Sequence, residues 1–396
     1  MTRRTATALV YLAGLAQGLV GAAFPGSAVV LRGSGLGDVR YGSIFVPQMA
    51  LAALGAGASF AVLSRLGARR GLALGTLLMG LSQAALALCP FAGPDHAYSL
   101  ALLGTSLLGA GAGISAGPIS AYPQVLFAAR SESAVVALHA VTGAGLALSP
   151  LLAGQAVRAG VWLLFPVVLL AGHLGLWLAV ERASLPEPEP SRGPEARRPV
   201  GSRALWVYVA IAFLYGVAEC VFGNWGVVFL TEDRRLSAAL AGAGAAAFWA
   251  SLAAGRVVVA VLLIRLRPAP VLPALAGLMA LGCVLVPLAR SPQSALLVFA
   301  LGGAGCSAVF PLTLGLAGRR FPDHRAWVAG AAFAALVSGL GAGSFAAGLL
   351  RPLVGLASVY QLASLPPALA CLLAGVLAWL GGGREGAARP APAAAA

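Results

Sequence analysis

A single carboxyl group in this chain stands where a carboxyl is costly. Glu219 lies inside YGVAECVFGNWGVVFL (Tyr215–Leu230), with no acid or base nearer than Arg203 behind it and Glu232 ahead. At the centre of a membrane span a charged acid costs roughly 2.5–3.5 kcal/mol on insertion scales. Desolvation disfavours the charged form, so such a group can gain and lose a proton within the physiological range. Two chemistries fit: binding a polar solute or carrying a proton. The inert alternative is a packing residue, hydrogen-bonded or held neutral. We take the functional reading, because the other eleven acids fall in loops or tails and this one alone is kept inside.

Few other residues could join it. Arg256 is the one base inside an apolar segment. It stands nine residues before Arg265, ~14 Å along a helix, and that depth difference argues against a direct pair with Glu219. Its structural role would be hydrogen bonds to backbone carbonyls of neighbouring helices, or snorkelling; its functional role would be gating or solute contact. Asn224 and Trp225 follow Glu219 by five and six residues. The indole could stack on a sugar ring in a cavity or lie in an outer aromatic belt. Gln17 is a central polar residue of the first apolar segment. His139 and Tyr122 fall in the inner thirds of theirs, where packing and cavity roles are both open.

The elements that must position these residues are membrane helices. Of 396 residues, 60% are hydrophobic and 10% charged, with a mean hydropathy of +0.91; soluble domains carry about 25% charged residues. Twelve apolar segments of span length can be marked near 6–31, 41–64, 71–90, 99–127, 134–157, 161–180, 204–230, 238–264, 270–289, 294–317, 326–350 and 357–380. The alternating short strands of a β-barrel are missing from the pattern. The basic N-terminus imitates a signal peptide, but its apolar stretch has full span length and more spans follow, so it reads as an uncleaved first helix. The expected fold is an all-α membrane protein, with twelve transmembrane helices in two pseudo-symmetric six-helix bundles.

The net charge of +14 comes from 26 arginines and no lysine. In a membrane protein that excess reports topology rather than nucleic-acid binding. With the N-terminus inside, eighteen arginines fall in cytoplasmic segments and seven in outer loops. Both termini are therefore expected in the cytoplasm, in the inner (plasma) membrane. The segment 181–203, ERASLPEPEPSRGPEARRPVGSR, is Pro-rich and charged and reads as a cytoplasmic linker. It divides an N-terminal half (1–180) from a C-terminal half (204–380), and 381–396 reads as a disordered cytoplasmic tail.

The halves repeat. A shift of 202 lays GLAQGLVG (Gly14–Gly21) on GVAECVFG (Gly216–Gly223) and places Gln17 on Glu219. A shift of 200 lays Gly55 on Gly255 and SRL (64–66) on IRL (264–266). Parallel repeats of six spans put a solute path between the halves near the midplane. GAGAG (Gly109–Gly113) lies within a span and reads as close helix packing, not a phosphate loop. Five scattered cysteines carry no metal or disulfide spacing. No nucleotide fingerprint, zinc motif or catalytic triad spacing appears, so neither an enzyme nor a cofactor is expected.

These features resemble the major facilitator superfamily. That family carries G-x-x-x-D-R-x-G-R-R between spans two and three; here FAVLSRLGARR (Phe60–Arg70) keeps Arg65, Gly67 and Arg69 but has Phe60 and Ser64 where Gly and Asp are usual. In the family the missing Asp helps latch the outward-open state. The span-five signature G-x-x-x-G-P-x-x-G-G appears as GLALSPLLAG (Gly145–Gly154), with Pro150 at its centre. YGVAECVFGNWGVVFL, FWASLAAGR (Phe248–Arg256) and LHAVTGAG (Leu138–Gly145) resemble the fucose-permease-like branch, with His139 where Asn is common. Such carriers usually add acids in spans one or four, which this chain lacks. The resemblance implies secondary active transport of a small solute by alternating access, with proton-coupled uptake of a sugar-like polar molecule first. Protons and the solute would be its partners, the bilayer its surroundings, and a monomer its state. The alternatives are an exporter of hydrophobic or amphiphilic compounds and, from another class, a non-transporting membrane sensor or assembly protein.

Overall fold

The computed structural model describes residues 2–187 and 199–385, and among these the chain forms helices and short connections without a strand. The N-terminal half contains α1 (Arg3–Gly21), α2 (Phe45–Leu66), α3 (Ala68–Leu88), α4 (Pro94–Leu126), α5 (Ser131–Arg158) and α6 (Leu164–Arg182). The C-terminal half contains α7 (Arg203–Val228), α8 (Ala238–Leu262), α9 (Pro268–Leu285), α10 (Pro292–Arg320), α11 (Arg325–Leu362) and α12 (Leu365–Glu385). Short helical turns, Ala23–Gly26 and Ala28–Gly33, extend α1, and Asp38–Ser43 precedes α2.

Ten helical stretches among the described residues are long and apolar enough to cross a bilayer, and α1 with its extension supplies a further pass. One of the ten, Trp327–Leu377, runs for 51 residues and holds two passes. Gly355 separates them. Its φ of 74° and ψ of 157° are accessible in practice to glycine alone. The eleventh pass ends there, and the twelfth begins in the last turns of α11 and continues as α12. That helix reaches Glu385, into the segment expected as a tail; 386–396 lies outside the described residues. Of the linker, 188–198 also lies outside them, and α6 ends at Arg182.

The internal repeat is visible in which helices pack together. In the N-terminal half α1 packs on α5, α2 on α4, and α3 on both α4 and α6. Raising every number by six gives α7 on α11, α8 on α10, and α9 on both α10 and α12, which is the packing of the C-terminal half. The halves meet through α5 on α8 and α2 on α11, and these two seams also exchange under the same shift. Lipid offers no hydrophobic drive for such pairs, so they depend on close backbone approach. The GAGAG run supplies it: a methyl built on Gly109 would collide with the Gln48 carbonyl of α2, and one on Gly111 with the Gly75 carbonyl of α3.

An even number of passes puts both termini on one side, here called the termini end; the opposite side is the far end. Among the described residues, the hydrogen bonds and ion pairs that join the two halves lie at the far end. Spans one and seven meet there through Ala23–Gly33. At the far end of the α5–α8 seam, the carbonyl of Pro150 sits against Gly242, leaving no room for a side chain. Towards the termini end, His139 of α5 is exposed.

Candidate functional site

The site is built around a break in α10. That helix is interrupted at Ser307 and Ala308, between Pro292–Cys306 and Val309–Arg320. Irregular backbone at membrane depth survives only if its freed polar groups find partners. Two side chains supply them: the Tyr215 hydroxyl donates to the Cys306 carbonyl at 3.1 Å, and Arg256 Nε donates to the Ser307 carbonyl at 3.1 Å. Tyr215 comes from α7 and Arg256 from α8, so three helices of the C-terminal half converge on the break.

Glu219 lies one turn beyond Tyr215 on α7 and adjoins it. It is 8% exposed. Counted along the spans to Asp233, Pro292 and Ala238, Glu219 and Ser307 lie ~21–23 Å from the far end and Arg256 ~27 Å, nearer the termini end. Arg256 forms no ion pair with Glu219 among the described residues, yet it stands near enough for its charge to act on Glu219 and on His139 of the other half. An acid, a phenol, a guanidinium and an imidazole from α5, α7 and α8 thus share one mid-depth region.

Asn224 and Trp225 belong to a different layer, nearer the far end. Asn224 Nδ2 donates to Ser344 Oγ at 2.6 Å, and the Asn224 carbonyl accepts from the Tyr41 hydroxyl of the other half at 2.8 Å. Trp225 is fully buried; its Nε1 donates to the Ser344 carbonyl at 3.1 Å, and its ring meets Tyr41 edge-on at 5.0 Å. The indole therefore plugs the seam between the halves in this state. It lies neither on an open cavity wall nor in a lipid-facing belt.

Outside that plug is a charge network that sequence reasoning missed. Arg351 donates to Asp38 at 2.7 Å, Glu232 at 2.7 Å and Asp233 at 3.0 Å, while Arg32 holds Glu232 at 2.8 Å and Asp38 at 2.8 Å. Arg32 and Asp38 come from the N-terminal half and the other three from the C-terminal half, so the network ties the halves together. One signal was available: the repeat shift of 200 that aligns α2 with α8 lays Arg32 on Glu232.

The remaining expected residues are placed as follows. Gln17 is half-buried on α1 with a buried Oε1 that has no hydrogen-bond partner, as has Gln48 on α2. Tyr122 is fully buried on α4 within the N-terminal half, in a cluster with Val10, Ala68 and Leu72, and makes no hydrogen bond to the Glu219 region. Gly67 has a φ of 80°; the adjacent Ala68 N–H donates to the Glu187 carboxylate at 2.7 Å, and Arg69 pairs with Glu181 at 3.1 Å. Arg65 is exposed. These motif contacts run to the last turn of α6 and the start of the linker, and none reaches the C-terminal half among the described residues. Pro150 is buried between Gly26 and Gly242.

No protein-family model matches the sequence, and no curated protein matches it. Solved structures do match. A D-xylose–proton symporter superposes with a TM-score of 0.71 over 94% of this chain and 97% of that one, at 15% identity. The nucleoside transporter NupG, as a point mutant, superposes with a TM-score of 0.71 over 95% of this chain and 99% of that one, at 12% identity. At these identities the likeness establishes the fold. Among the described residues the chain is an all-α, multi-pass membrane protein whose helices form two pseudo-symmetric six-helix bundles, the fold of these transporters.

Proposed function

We propose that this protein is a secondary active transporter that moves a small polar solute by alternating access, with the proton as coupling ion. The observation that carries the reading is the joint placement of a far-end seal and a mid-depth acid. The halves are tied by the Arg32–Arg351 charge network and the Tyr41–Trp225 plug, while Glu219 and Arg256 lie deeper, towards the termini end. Rocking the halves would open the seal and close the other end around the same site.

The arginine bias puts the termini end in the cytoplasm of an inner (plasma) membrane. On that orientation the far-end network and plug lie on the outer side, and we read the state as inward-facing. The residues that resemble the fucose-permease-like branch favour a sugar-like solute. The structural neighbours, a symporter of D-xylose with protons and a nucleoside transporter, favour a polar cargo over an apolar one. Export of amphiphilic compounds is the competing direction.

Two measurements test this. Solutes that raise the melting point of the purified protein should accumulate in proteoliposomes when the outside is made acidic. Uptake that never exceeds equilibration, whatever the pH gradient, would remove proton coupling. For orientation, a cysteine replacing the exposed Gly93 at the far end should react with an impermeant maleimide on intact cells, and one replacing the exposed Asp323 at the termini end should not. Four of the native cysteines are buried and Cys371 is half-buried, so background labelling is low. The opposite pattern would invert the topology and turn the proposed inward opening outward.

A further inference from the structure

We infer that Arg256 is the anchor for an anionic group on the solute, so that the cargo is a small polar monoanion such as a hydroxylated carboxylate. The inference rests on the transport reading above and names the solute class of that same site.

The first observation is how the guanidinium is used. Arginine keeps its charge at any relevant pH and presents five donors in a fork suited to a carboxylate. Here Nε alone is engaged, with the Ser307 carbonyl. The two Nη groups have no hydrogen-bond partner among the described residues, and neither is buried. A permanent cation at mid-membrane depth is expensive unless it is paired or faces water. This one is half-buried, with the bidentate face of its fork unused.

The second observation is the broken helix. The carbonyl end of Pro292–Cys306 is already occupied by Tyr215 and Arg256. The other piece, Val309–Arg320, starts at the break, and a helix start carries about half a positive charge. That start, whose first turn holds Pro311 and so offers only the N–H groups of Val309 and Phe310, stands beside a guanidinium whose Nη donors have no partner among the described residues. Anionic groups of solutes bind at such half-helix starts.

The third observation is the set of titratable and charged groups around the guanidinium. They are Glu219 and Tyr215 on α7, Cys306 on α10 and His139 on α5, with Cys220 beyond Glu219. Glu219 is the one acid among them. When it is ionised, its charge offsets that of Arg256 and repels an incoming anion. When it takes a proton, Arg256 is left uncompensated and an anion restores the balance. Proton and monoanion then enter as a neutral pair, and the loaded site carries the same charge as the empty one. His139, exposed on α5 of the other half, lies within range of the Arg256 charge and is a second contact for the anion.

The test uses matched probes: a panel of hydroxylated monocarboxylates, each paired with its primary amide, in thermal-shift and equilibrium binding on the full-length protein in detergent. Stabilisation should come from the acids and not from their amides. For those acids, affinity should rise up to tenfold per unit fall in pH where Glu219 titrates, because one proton is bound with each anion. Glu219→Gln should bind them with a flat pH profile, and His139→Gln should keep the wild-type slope. Arg256→Gln should lose the binding at least tenfold while Arg256→Lys recovers part of it. If Arg256→Gln does not fold, the Glu219 profile decides. Acid binding that ignores pH in the wild type overturns the competition. Stabilisation by the amides alone overturns the anion anchor but leaves the transporter standing. No response to either set, together with no accumulation of any solute, overturns both.

Discussion

Glu219→Gln is expected to abolish accumulation driven by a pH gradient while leaving solute exchange across the vesicle intact. The amide keeps the size of the carboxyl and most of its hydrogen bonding, but it cannot change its charge. Coupling needs a group whose protonation differs between the outward and inward states, and Glu219 is the one acid at mid-depth beside the broken α10. A pH difference of one unit stores about 1.4 kcal/mol per proton, enough for roughly tenfold accumulation. The wild type should approach that ratio and the mutant should stop at equality. Exchange should survive because it needs binding and rocking but no net proton movement. Tenfold accumulation persisting in Glu219→Gln would return the residue to its inert reading, an acid held neutral for packing.

Arg351→Gln is expected to unseal the far end. One guanidinium holds Asp38 of the N-terminal half together with Glu232 and Asp233 of its own half, and its side chain is 12% exposed. Removing it leaves three acids crowded with Arg32 alone to balance them. Breaking a buried pair costs about 3–5 kcal/mol and an exposed one about 0–1. With the acids 21–33% exposed, an intermediate cost of about 2 kcal/mol is reasonable, a shift of roughly thirtyfold in the closed-to-open ratio. Spin labels at the exposed positions Phe91 and Leu288, on opposite halves at the far end, report the change as a longer, broader distance distribution. Combining Asp38→Arg with Arg351→Asp should restore part of the short distance. Distances unmoved in Arg351→Gln would mean that the Tyr41–Trp225 plug seals the protein by itself.

The architecture was legible in the chain because bilayer physics leaves few options. Twenty apolar residues must be a helix, arginines collect on one side, and the pairing of Gln17 with Glu219 exposed the repeat. Glu219 itself stood out because an isolated acid in a span is costly enough to need a reason. What stayed hidden was tertiary. The α10 break did have a local signal, Pro311, which has no N–H for the Ser307 carbonyl four residues back and crowds it with its ring; the partners that hold the freed carbonyls, Tyr215 and Arg256 from other helices, left none. The depth argument separating Arg256 from Glu219 excluded a contact pair, and none forms, but it missed that a charge acts over a longer range. Arg32, Asp38, Glu232 and Arg351 resembled ordinary solvated loop charges, since pairing across 200 or 313 residues leaves no local trace. Trp225 was ambiguous for the same reason, until Tyr41 from the other half covered it.

A helix that is already severed can pivot without losing hydrogen bonds. The carbonyls of Cys306 and Ser307, at the joint in α10, are held by side chains of α7 and α8, so those two bonds would survive a tilt of the helix beyond them. The piece beyond the joint, Val309–Arg320, has 12 residues and carries Arg319 and Arg320 in its last turn. That makes it a lever ~18 Å long, on which a tilt of about 10° at the joint moves the tip by ~3 Å. A solute that draws the guanidinium towards itself by a fraction of a bond length would thus swing two positive charges at the membrane surface.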